Sequence, residues 1–212
     1  MVAAIPFQTA IALFAVPTFT SNLQQAIAGK RLMPNLRRFW PLLLVLTVTT
    51  PIAVQWLVTA SQDTGLLVLG VVSVIFALVQ LFPSHLVVHP HQEKWLAPLV
   101  GLASGVMSGI SGVYGPPLIV YLVALRLPKE EFVAAISLMY FLGSVTLYST
   151  LALHGVLTGP VLIASALGAA VVGGMMVIAR KLRHRIDEAR YRKLILGLLI
   201  VLGLDMIRRG LT

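Results

Sequence analysis

The sequence has no cysteine and little charge, and both absences restrict what the protein can be. Without cysteine, the chain cannot hold a disulfide framework or a cysteine-based metal or redox centre. Only 11% of its 212 residues are charged, whereas a soluble domain carries about 25%. A surface in contact with water cannot be built from so few charges, so the sequence predicts a protein whose solvent is lipid.

Long apolar runs make up most of the chain. Hydrophobic residues account for 58% of it, and the mean hydropathy is +0.94. A helix needs about 20 apolar residues to cross the hydrocarbon layer of a membrane. We therefore expect an all-α integral membrane protein in which residues 1–212 form a single membrane domain, and we expect the first run to be one helix. The charge-free runs cover 1–29, 39–62, 64–84, 95–125, 132–153 and 155–179, and a shorter run, interrupted by Asp205, covers Leu194–Ile207.

The net charge of +9 does not indicate nucleic-acid binding. The sixteen Lys and Arg residues lie between the apolar runs or at their ends. Topology signals and lipid-headgroup contacts are distributed in this way. A nucleic-acid interface needs a folded basic face, which this pattern does not provide. The expected partner is therefore the lipid bilayer, with no nucleic acid.

The run 95–125 differs from the others because glycine and proline are concentrated in it. Its centre, residues 101–121, reads GLASGVMSGISGVYGPPLIVY. Pro117 cannot donate a helical hydrogen bond, and Pro116 disfavours the helical conformation at Gly115. Irregular backbone at membrane depth persists only where protein or a water-filled cavity satisfies it. We expect a glycine-rich broken helix or re-entrant hairpin near 95–125.

The distribution of positive charge favours the hairpin. If all seven runs crossed the membrane once, the basic loops 30–38 and 180–193 would face opposite sides, against the positive-inside rule. A run 95–125 that enters and returns to the same side removes this conflict. Both loops, together with 85–94 and 126–131, then face the cytoplasm.

The two halves of the chain carry similar sets of spans. Residues 1–82 and 131–212 each contain three spans, but the basic loop follows the first span in one half and the second span in the other. Two copies inserted in opposite orientations would show this shift, and such inverted repeats are typical of transporters. The sequence predicts an inverted repeat of three-span units, with 1–84 as an incomplete first repeat and 95–212 as a second repeat with the broken helix.

Three segments resemble one family of membrane proteins. GVMSGISGVYGPPLIVYLVALRLPKEEFVAA looks like the second-half motif of the sulfite exporter TauE/SafE family. VVGGMMVIARKLRHRIDEARYRKLILGLLIVLGL resembles the closing helices of that family, and TSNLQQAIAGKRLMPNLRRFWPLL resembles its first-half helix and loop. The resemblance implies a multi-pass exporter or permease in a bacterial plasma membrane that carries small anions of the sulfite or organosulfonate type.

The resemblance also implies a missing element. The family normally begins with a first glycine-rich segment, the partner of residues 101–121, and this chain starts after the place where that segment should end. We expect an in-frame upstream segment of about one re-entrant hairpin. The alternative is an accessory or inactive membrane protein that does not transport by itself.

The glycine-rich turn is the first candidate for an anion site. Its glycines let consecutive backbone N–H groups converge, and the N-terminus of the half-helix that follows adds about half a positive charge. Hydroxyl groups supply further donors. The alternative is close helix packing, which small residues also permit, although packing does not need a break. The residues predicted to bind the anion are Ser108, Gly109, Ser111, Gly112, Tyr114, Gly115 and Pro116.

Polar residues on two other spans complete the predicted site. Asn22 lies late in the first span with Thr18, and Ser144 lies with Tyr140 on the comparable helix of the second repeat. These side chains either line the cavity or form interhelical hydrogen bonds worth about 0.6–2 kcal/mol. Both interpretations stay open.

Neither a metal centre nor a catalytic group is predicted. His85, His89 and His91 are spaced like metal ligands, but they lie beside Pro90 in a short loop without a carboxylate or cysteine partner. No Asp, Glu, Lys or Arg lies within a span core, so no proton relay and no constellation for an enzyme is visible. We expect no cofactor and no enzymatic activity, and a small anion that moves down the membrane potential. Homo-oligomerisation is left open.

Overall fold

The computed structural model describes residues 5–28, 32–81, 87–183 and 188–211. Across these ranges the chain is all-helical, as the sequence predicts, and no strand is present. The helices are α1 (Phe7–Ala12), α2 (Ala15–Ala28), α3 (Leu32–Thr59), α4 (Gln62–Leu81), α5 (Pro90–Ser111), α6 (Gly115–Ala124), α7 (Lys129–Leu153), α8 (Gly159–Arg183) and α9 (Glu188–Leu211).

Three helices in the described part of the chain, α3, α4 and α7, are long and apolar enough to cross a membrane. Helix α3 also carries an exposed tryptophan towards each end, Trp40 and Trp56. Sixteen positions separate them, which is about 24 Å along a helix. Tryptophan is enriched at both membrane interfaces, and the hydrocarbon layer between them is about 30 Å thick. The length and composition of α3 therefore fit a helix that lies across a bilayer.

Several helices extend beyond the apolar runs. Because α3 begins at Leu32, Arg37 and Arg38 lie on its first turns, and the prediction of a loop over 30–38 is wrong for these residues. Helices α8 and α9 likewise cover most of the predicted loop 180–193. Lys and Arg are good helix formers, so a helix does not have to end where its apolar run ends.

The prediction that 1–29 forms one helix is wrong, because α1 and α2 are separate. The physical cause is Pro17, which has no N–H to donate to the carbonyl of Leu13 and whose ring crowds that carbonyl. Ser165 of α8 replaces the lost partners. Its hydroxyl donates to the Leu13 carbonyl at 2.8 Å and accepts the N–H of Val16 at 3.0 Å. The Ser165 side chain, from the second half of the chain, therefore supplies hydrogen-bond partners to backbone groups at the interruption between α1 and α2.

Helices α3 and α5 pack backbone to backbone and run parallel. A Cβ atom on Gly101 would meet the backbone of Leu42, and a Cβ atom on Gly109 would meet the backbone of Ala53. Gly105, between them, also has no room for a side chain against α3. The contact positions advance in the same direction along both helices. Glycines at every fourth position allow this approach, as in other membrane helix pairs.

Helices α4 and α9 also pack closely, but they run antiparallel. A Cβ atom on Gly203 would lie 3.0 Å from the carbonyl oxygen of Gly70, and one on Gly210 would lie 2.6 Å from that of Asp63. The contact therefore moves backwards along α4 as it advances along α9. The two helices therefore lie side by side and run in opposite directions.

The chain that enters α5 lies beside the chain that leaves α6. The N–H of Val88 donates to the carbonyl of Ala124 at 2.9 Å. Between these points, α6 is short and apolar, and its Leu118 and Leu122 are fully buried in the main core with Phe39 of α3. The core therefore holds α6 between α3 and α7.

Candidate functional site

Helices α5 and α6 are separated at residues 112–114, where the sequence predicts an interruption. Gly112 has a φ of 73°, in the left-handed region that glycine adopts at no steric cost. Its N–H donates to the carbonyl of Ser108 at 2.8 Å. A Cβ atom at this position would lie 2.9 Å from the Cγ2 atom of Ile11 on α1. Both the backbone conformation and the contact with α1 therefore require glycine at 112.

The hydroxyl of Ser111 holds the end of α5. It donates to the carbonyl of Met107 at 2.7 Å and accepts the N–H of Val113 at 3.4 Å. Ser111 is fully buried at this position. Because its proton is already donated to the protein, its predicted role as a donor to an anion would require the hydroxyl to rotate.

The start of α6 offers fewer backbone donors than most helix N-termini. The first four N–H groups of a helix normally lack intrahelical partners, but Pro116 and Pro117 have no N–H at all. Within the described residues, the N–H groups of Tyr114 and Gly115 make no hydrogen bond. Both lie at the positive end of the α6 dipole. Two backbone donors are therefore available to an acceptor.

A cavity of about 440 Å³ lies against the break. It is enclosed by α1, α2, α4, α7 and α9 together with residues 111–114. None of the residues that line it is Lys, Arg, Asp or Glu, and most of its wall is apolar. Its volume is within the range of about 300–1,000 Å³ typical of small-molecule sites. Its polar wall consists of Thr18, Gln62, Ser111, Tyr114 and Tyr148.

Two pairs of polar side chains connect α2 to this region. Asn22 is a polar partner of the Tyr114 hydroxyl, and Thr18 is a polar partner of the Tyr148 hydroxyl. Asn22 is buried. Thr18 and Asn22 lie four residues apart on α2, so they share one face of the helix. The structure thus brings the predicted residue Asn22 to the break through Tyr114.

Two tyrosines pack beside the start of α6. Tyr114 itself is buried, and a Cβ atom on Gly143 of α7 would make an ordinary contact with its ring, at 3.6 Å. A Cβ atom on Gly115 would lie only 2.5 Å from the hydroxyl oxygen of Tyr140. Glycine at position 115 therefore leaves room for the Tyr140 hydroxyl.

The structure places the other predicted residues outside the cavity. Gly109 faces α3, where it allows the close helix packing that the sequence predicts as the alternative to an anion site. Ser108 is buried, and its hydroxyl has no partner among the described residues. Ser144 donates its hydroxyl to the Phe141 carbonyl at 2.7 Å and lines a different cavity of about 340 Å³ between α2, α7 and α8.

Sequence reasoning missed Tyr148 and the contribution of α1 and α4 to the cavity. Tyr148 follows Ser144 by four residues and so extends the polar face of α7, which is a signal that could have been read. Leu66 and Leu69 of α4 carry no such signal, because apolar residues on a membrane helix do not distinguish a cavity from lipid.

The histidines do not form a metal site in the described part of the chain, where no three His, Asp or Glu residues come together. The rings of His89 and His91 lie 5.8 Å apart at the start of α5, so the prediction that His91 lies in a loop is wrong. His85 lies outside the described residues.

Comparison with known proteins agrees with this architecture. The family described as "Sulfite exporter TauE/SafE" matches residues 1–206. No curated protein and no solved structure matches the chain. The matched region contains the break between α5 and α6 and every helix that lines the cavity. The chain therefore belongs to the sulfite exporter TauE/SafE family of membrane transporters.

Proposed function

We propose that this protein carries small sulfur oxyanions, such as sulfite or an organosulfonate, across the membrane through the cavity at the α5–α6 break. The observation that carries this proposal is the pair of N–H groups on Tyr114 and Gly115, which have no partner among the described residues. Tyr114 lines the cavity together with other hydroxyl-bearing side chains, and Gly115 follows it directly. An ionised oxyanion only accepts hydrogen bonds, so it complements a wall of donors. The family supplies the substrate class.

In this proposal, α5 and α6 form a re-entrant hairpin. The hydrogen bond from Val88 to Ala124 supports it, because it joins the two ends of the hairpin. The parallel packing of α3 and α5 indicates that both helices begin at the same side of the bundle, which is the side where the hairpin is proposed to start. The hairpin tip, at residues 112–114, lies inside the bundle, where the cavity and the surrounding protein satisfy the irregular backbone.

The two halves of the chain are proposed to be inverted repeats. Pro34 and Pro160 are 126 positions apart, and the first residues of α4 and α9, Gln62 and Glu188, have the same separation. Under this offset α3 corresponds to α8 and α4 to α9. Helix α3 packs on α7 while α2 packs on α8, which is the exchange of partners that a two-fold relation produces. The antiparallel pair α4 and α9 supports the inverted orientation.

The side at which α3, α5 and α7 begin is proposed to be the cytoplasm of a bacterial plasma membrane. Arg37, Arg38, Lys94 and Lys129 lie at this side, as the positive-inside rule requires. Arg208 and Arg209 lie at the opposite side, but Asp205 forms ion pairs with both, at 2.8 and 2.7 Å. The four basic residues at the proposed cytoplasmic side outnumber these two.

The membrane potential is proposed to drive the anion outwards. The cavity lies at the outer side of the bundle, since Gln62 at the start of α4 belongs to its wall, and the buried core separates it from the cytoplasm. Among the described residues no charged side chain lines it, so no protein cation offsets the charge of a bound anion, and that charge responds to the potential. One elementary charge gains about 2.3 kcal/mol per 100 mV.

The test is flux of radiolabelled sulfite in proteoliposomes. Thr18→Val removes one cavity hydroxyl and should raise KM about tenfold or more, since a hydrogen bond to a charged group contributes about 1.5–3 kcal/mol. Thr59→Val is the matched control, because the hydroxyl of Thr59 is exposed and bonds to its own helix. No saturable flux by the wild type, or equal KM values for both variants, would contradict the proposal.

A further inference from the structure

Arg38 lies at the opposite end of α5 from the cavity and is held by Glu93. Its Nε donates to Oε1 of Glu93 at 2.7 Å and its Nη2 donates to Oε2 at 3.0 Å. This two-pronged contact uses two of the five N–H groups of the guanidinium. Three donors remain, and the Arg38 side chain stays 41% exposed. The ion pair therefore orients the Arg38 guanidinium and leaves three of its N–H groups available to a ligand.

Two buried polar groups near Arg38 have no partner within the described residues. They are the Nδ2 atom of Asn35 and the hydroxyl of Tyr121. Asn35 is 7% exposed and Tyr121 is 3% exposed. A buried donor without a partner destabilises a protein, so each such group requires an explanation. A ligand that accepts hydrogen bonds would supply one.

Arg38 and Tyr121 contact the same aromatic ring, that of Phe39. The guanidinium carbon of Arg38 lies 5.2 Å from the centre of the Phe39 ring. The ring of Tyr121, from α6, meets Phe39 edge-on with centroids 6.4 Å apart. Asn35 precedes Arg38 and Phe39 by three and four residues, so the three share a face of α3. The Phe39 ring therefore links the Arg38 side of α3 to Tyr121 of α6.

A cleft of about 720 Å³ lies beside Arg38 and is open to the surface. Among its walls are three cations, Arg37, Arg38 and Lys94, and one carboxylate, Glu93. Glu131 of α7 also acts electrostatically on Arg38. The cations attract an anion and the second carboxylate limits its affinity. A transporter needs this balance, because a substrate that binds too tightly cannot leave.

We propose that Arg38, Asn35 and Tyr121 form a second oxyanion site, at the side of the bundle from which the substrate enters. The site rests on the proposed transport function, and it is separate from the cavity at the break. From Glu93 to Ser111 the chain advances eighteen residues along α5, or about 27 Å. The ligand is a tetrahedral or pyramidal oxyanion, which is a chemistry that a sulfur oxyanion shares with a lipid phosphate.

The test is a binding titration that does not depend on transport. Trp40 lines the cleft, so its fluorescence reports occupancy once Trp56 and Trp95 are replaced by phenylalanine. The full chain in neutral-lipid nanodiscs is titrated with sulfite, sulfate and methanesulfonate. The reference protein is the full chain with these two replacements, and we expect it to bind the anions saturably. Its affinity should be at least tenfold weaker when Arg38→Gln removes the positive charge.

Two further variants separate a ligand role from a structural role. Tyr121→Phe removes only the unpartnered hydroxyl, so affinity should fall about fivefold while the melting temperature stays the same or rises. Glu131→Gln should raise the affinity. If Tyr121 and Glu131 had only structural roles, both substitutions would change the anion affinity in the same direction. Ser137→Ala is the control, because the hydroxyl of Ser137 is buried but already donates to the Val133 carbonyl.

The lipid source is distinguished by repeating the titration in nanodiscs that contain an anionic phospholipid. If the added lipid competes with sulfate, the site accepts both oxyanions; if it does not, the site takes the free anion alone. Equal affinities of the reference protein, Arg38→Gln and Tyr121→Phe overturn the proposal. If the protein binds sulfite but shows no sulfite flux, only the proposed transport function is contradicted. If it shows sulfite flux that Tyr121→Phe leaves unaltered, and no binding is detected, only this site is contradicted.

Discussion

The ring of Tyr114, just before α6, meets the ring of Tyr140 on α7 edge-on, with centroids 5.0 Å apart and an angle of 81° between the planes. Edge-to-face pairs of this kind contribute about 0.5–1.5 kcal/mol beyond the area they bury. The contact fixes the residue that carries one of the two free N–H groups at the break. The packing of an aromatic pair therefore positions the proposed anion site.

Removal of the Tyr114 hydroxyl should affect substrate binding more than stability. Tyr114→Phe keeps the ring contact with Tyr140 but removes the group that faces Asn22, so we expect KM for sulfite to rise about five- to tenfold. The melting temperature should change by only a few degrees. Tyr114→Ala is the contrast, because it removes the ring and should cost about 3–5 kcal/mol of stability. An unaltered KM in Tyr114→Phe would exclude the hydroxyl from the site.

The contact between α3 and α5 should not tolerate an added methyl group. A Cβ atom at Gly105 collides with Thr49, so Gly105→Ala should destabilise the protein by about 1–3 kcal/mol. Gly197→Ala is the control, because Gly197 of α9 has no atom within 4 Å of the corresponding position. This variant should be neutral or stabilising by up to about 1 kcal/mol. Thermal unfolding in detergent measures both, and equal melting temperatures would show that α3 and α5 are further apart.

The interruption between α1 and α2 should depend on Ser165. Ser165→Ala leaves the Leu13 carbonyl and the Val16 N–H without their partner, which should cost about 1–3 kcal/mol. Ser149→Ala is the matched control, since the exposed hydroxyl of Ser149 bonds only to carbonyls of its own helix. Protease sensitivity near residue 14 should increase only in Ser165→Ala. If the two variants unfold alike, the bridge from α8 is dispensable.

The side of each loop can be read directly, because the chain has no native cysteine. Single cysteines at Lys94 and Lys129 flank the proposed hairpin, and cysteines at Asp63 and His154 mark the opposite side; all four positions are exposed. An impermeant maleimide should label the first pair from the cytoplasm and the second pair from outside. If Lys94 and Lys129 label from opposite sides, the hairpin and the inverted repeat both fail.

The break in the glycine-rich run could be predicted from the sequence, but the break near Leu13 was missed. At residues 112–114, glycine and two consecutive prolines act together, and both effects are local. At Pro17 the signal is a single proline, and single prolines at 41, 51 and 98 lie inside continuous helices. What distinguishes Pro17 is a serine 148 positions further along the chain, a contact that local rules cannot supply.

The candidate site was likewise only partly readable. Gly112 and Tyr114 were predicted because they belong to the glycine-rich turn that precedes Pro116 and Pro117, and both line the cavity. Gly109 belongs to the same motif, but it faces α3. Glycine signals that something approaches the backbone closely, and the sequence does not say whether a ligand or a helix does so. Only the register between α3 and α5 shows that the group approaching Gly109 is a helix and not a ligand.

Flux through paired glycine variants tests the central claim most directly. Gly112 and Gly155 both have a positive φ, of 73° and 71°, but only Gly112 has a neighbour, Ile11, within 4 Å of its absent Cβ. Each alanine variant therefore carries a backbone cost of about 1–2 kcal/mol, and only Gly112→Ala also disturbs the cavity.

The measurement is radiolabelled sulfite flux in proteoliposomes that contain equal amounts of folded wild type, Gly112→Ala and Gly155→Ala. The proposed function predicts saturable flux in the wild type, at least a tenfold loss in Gly112→Ala, and flux close to wild type in Gly155→Ala. Wild-type flux no greater than that of protein-free liposomes, or full flux in Gly112→Ala, would contradict it.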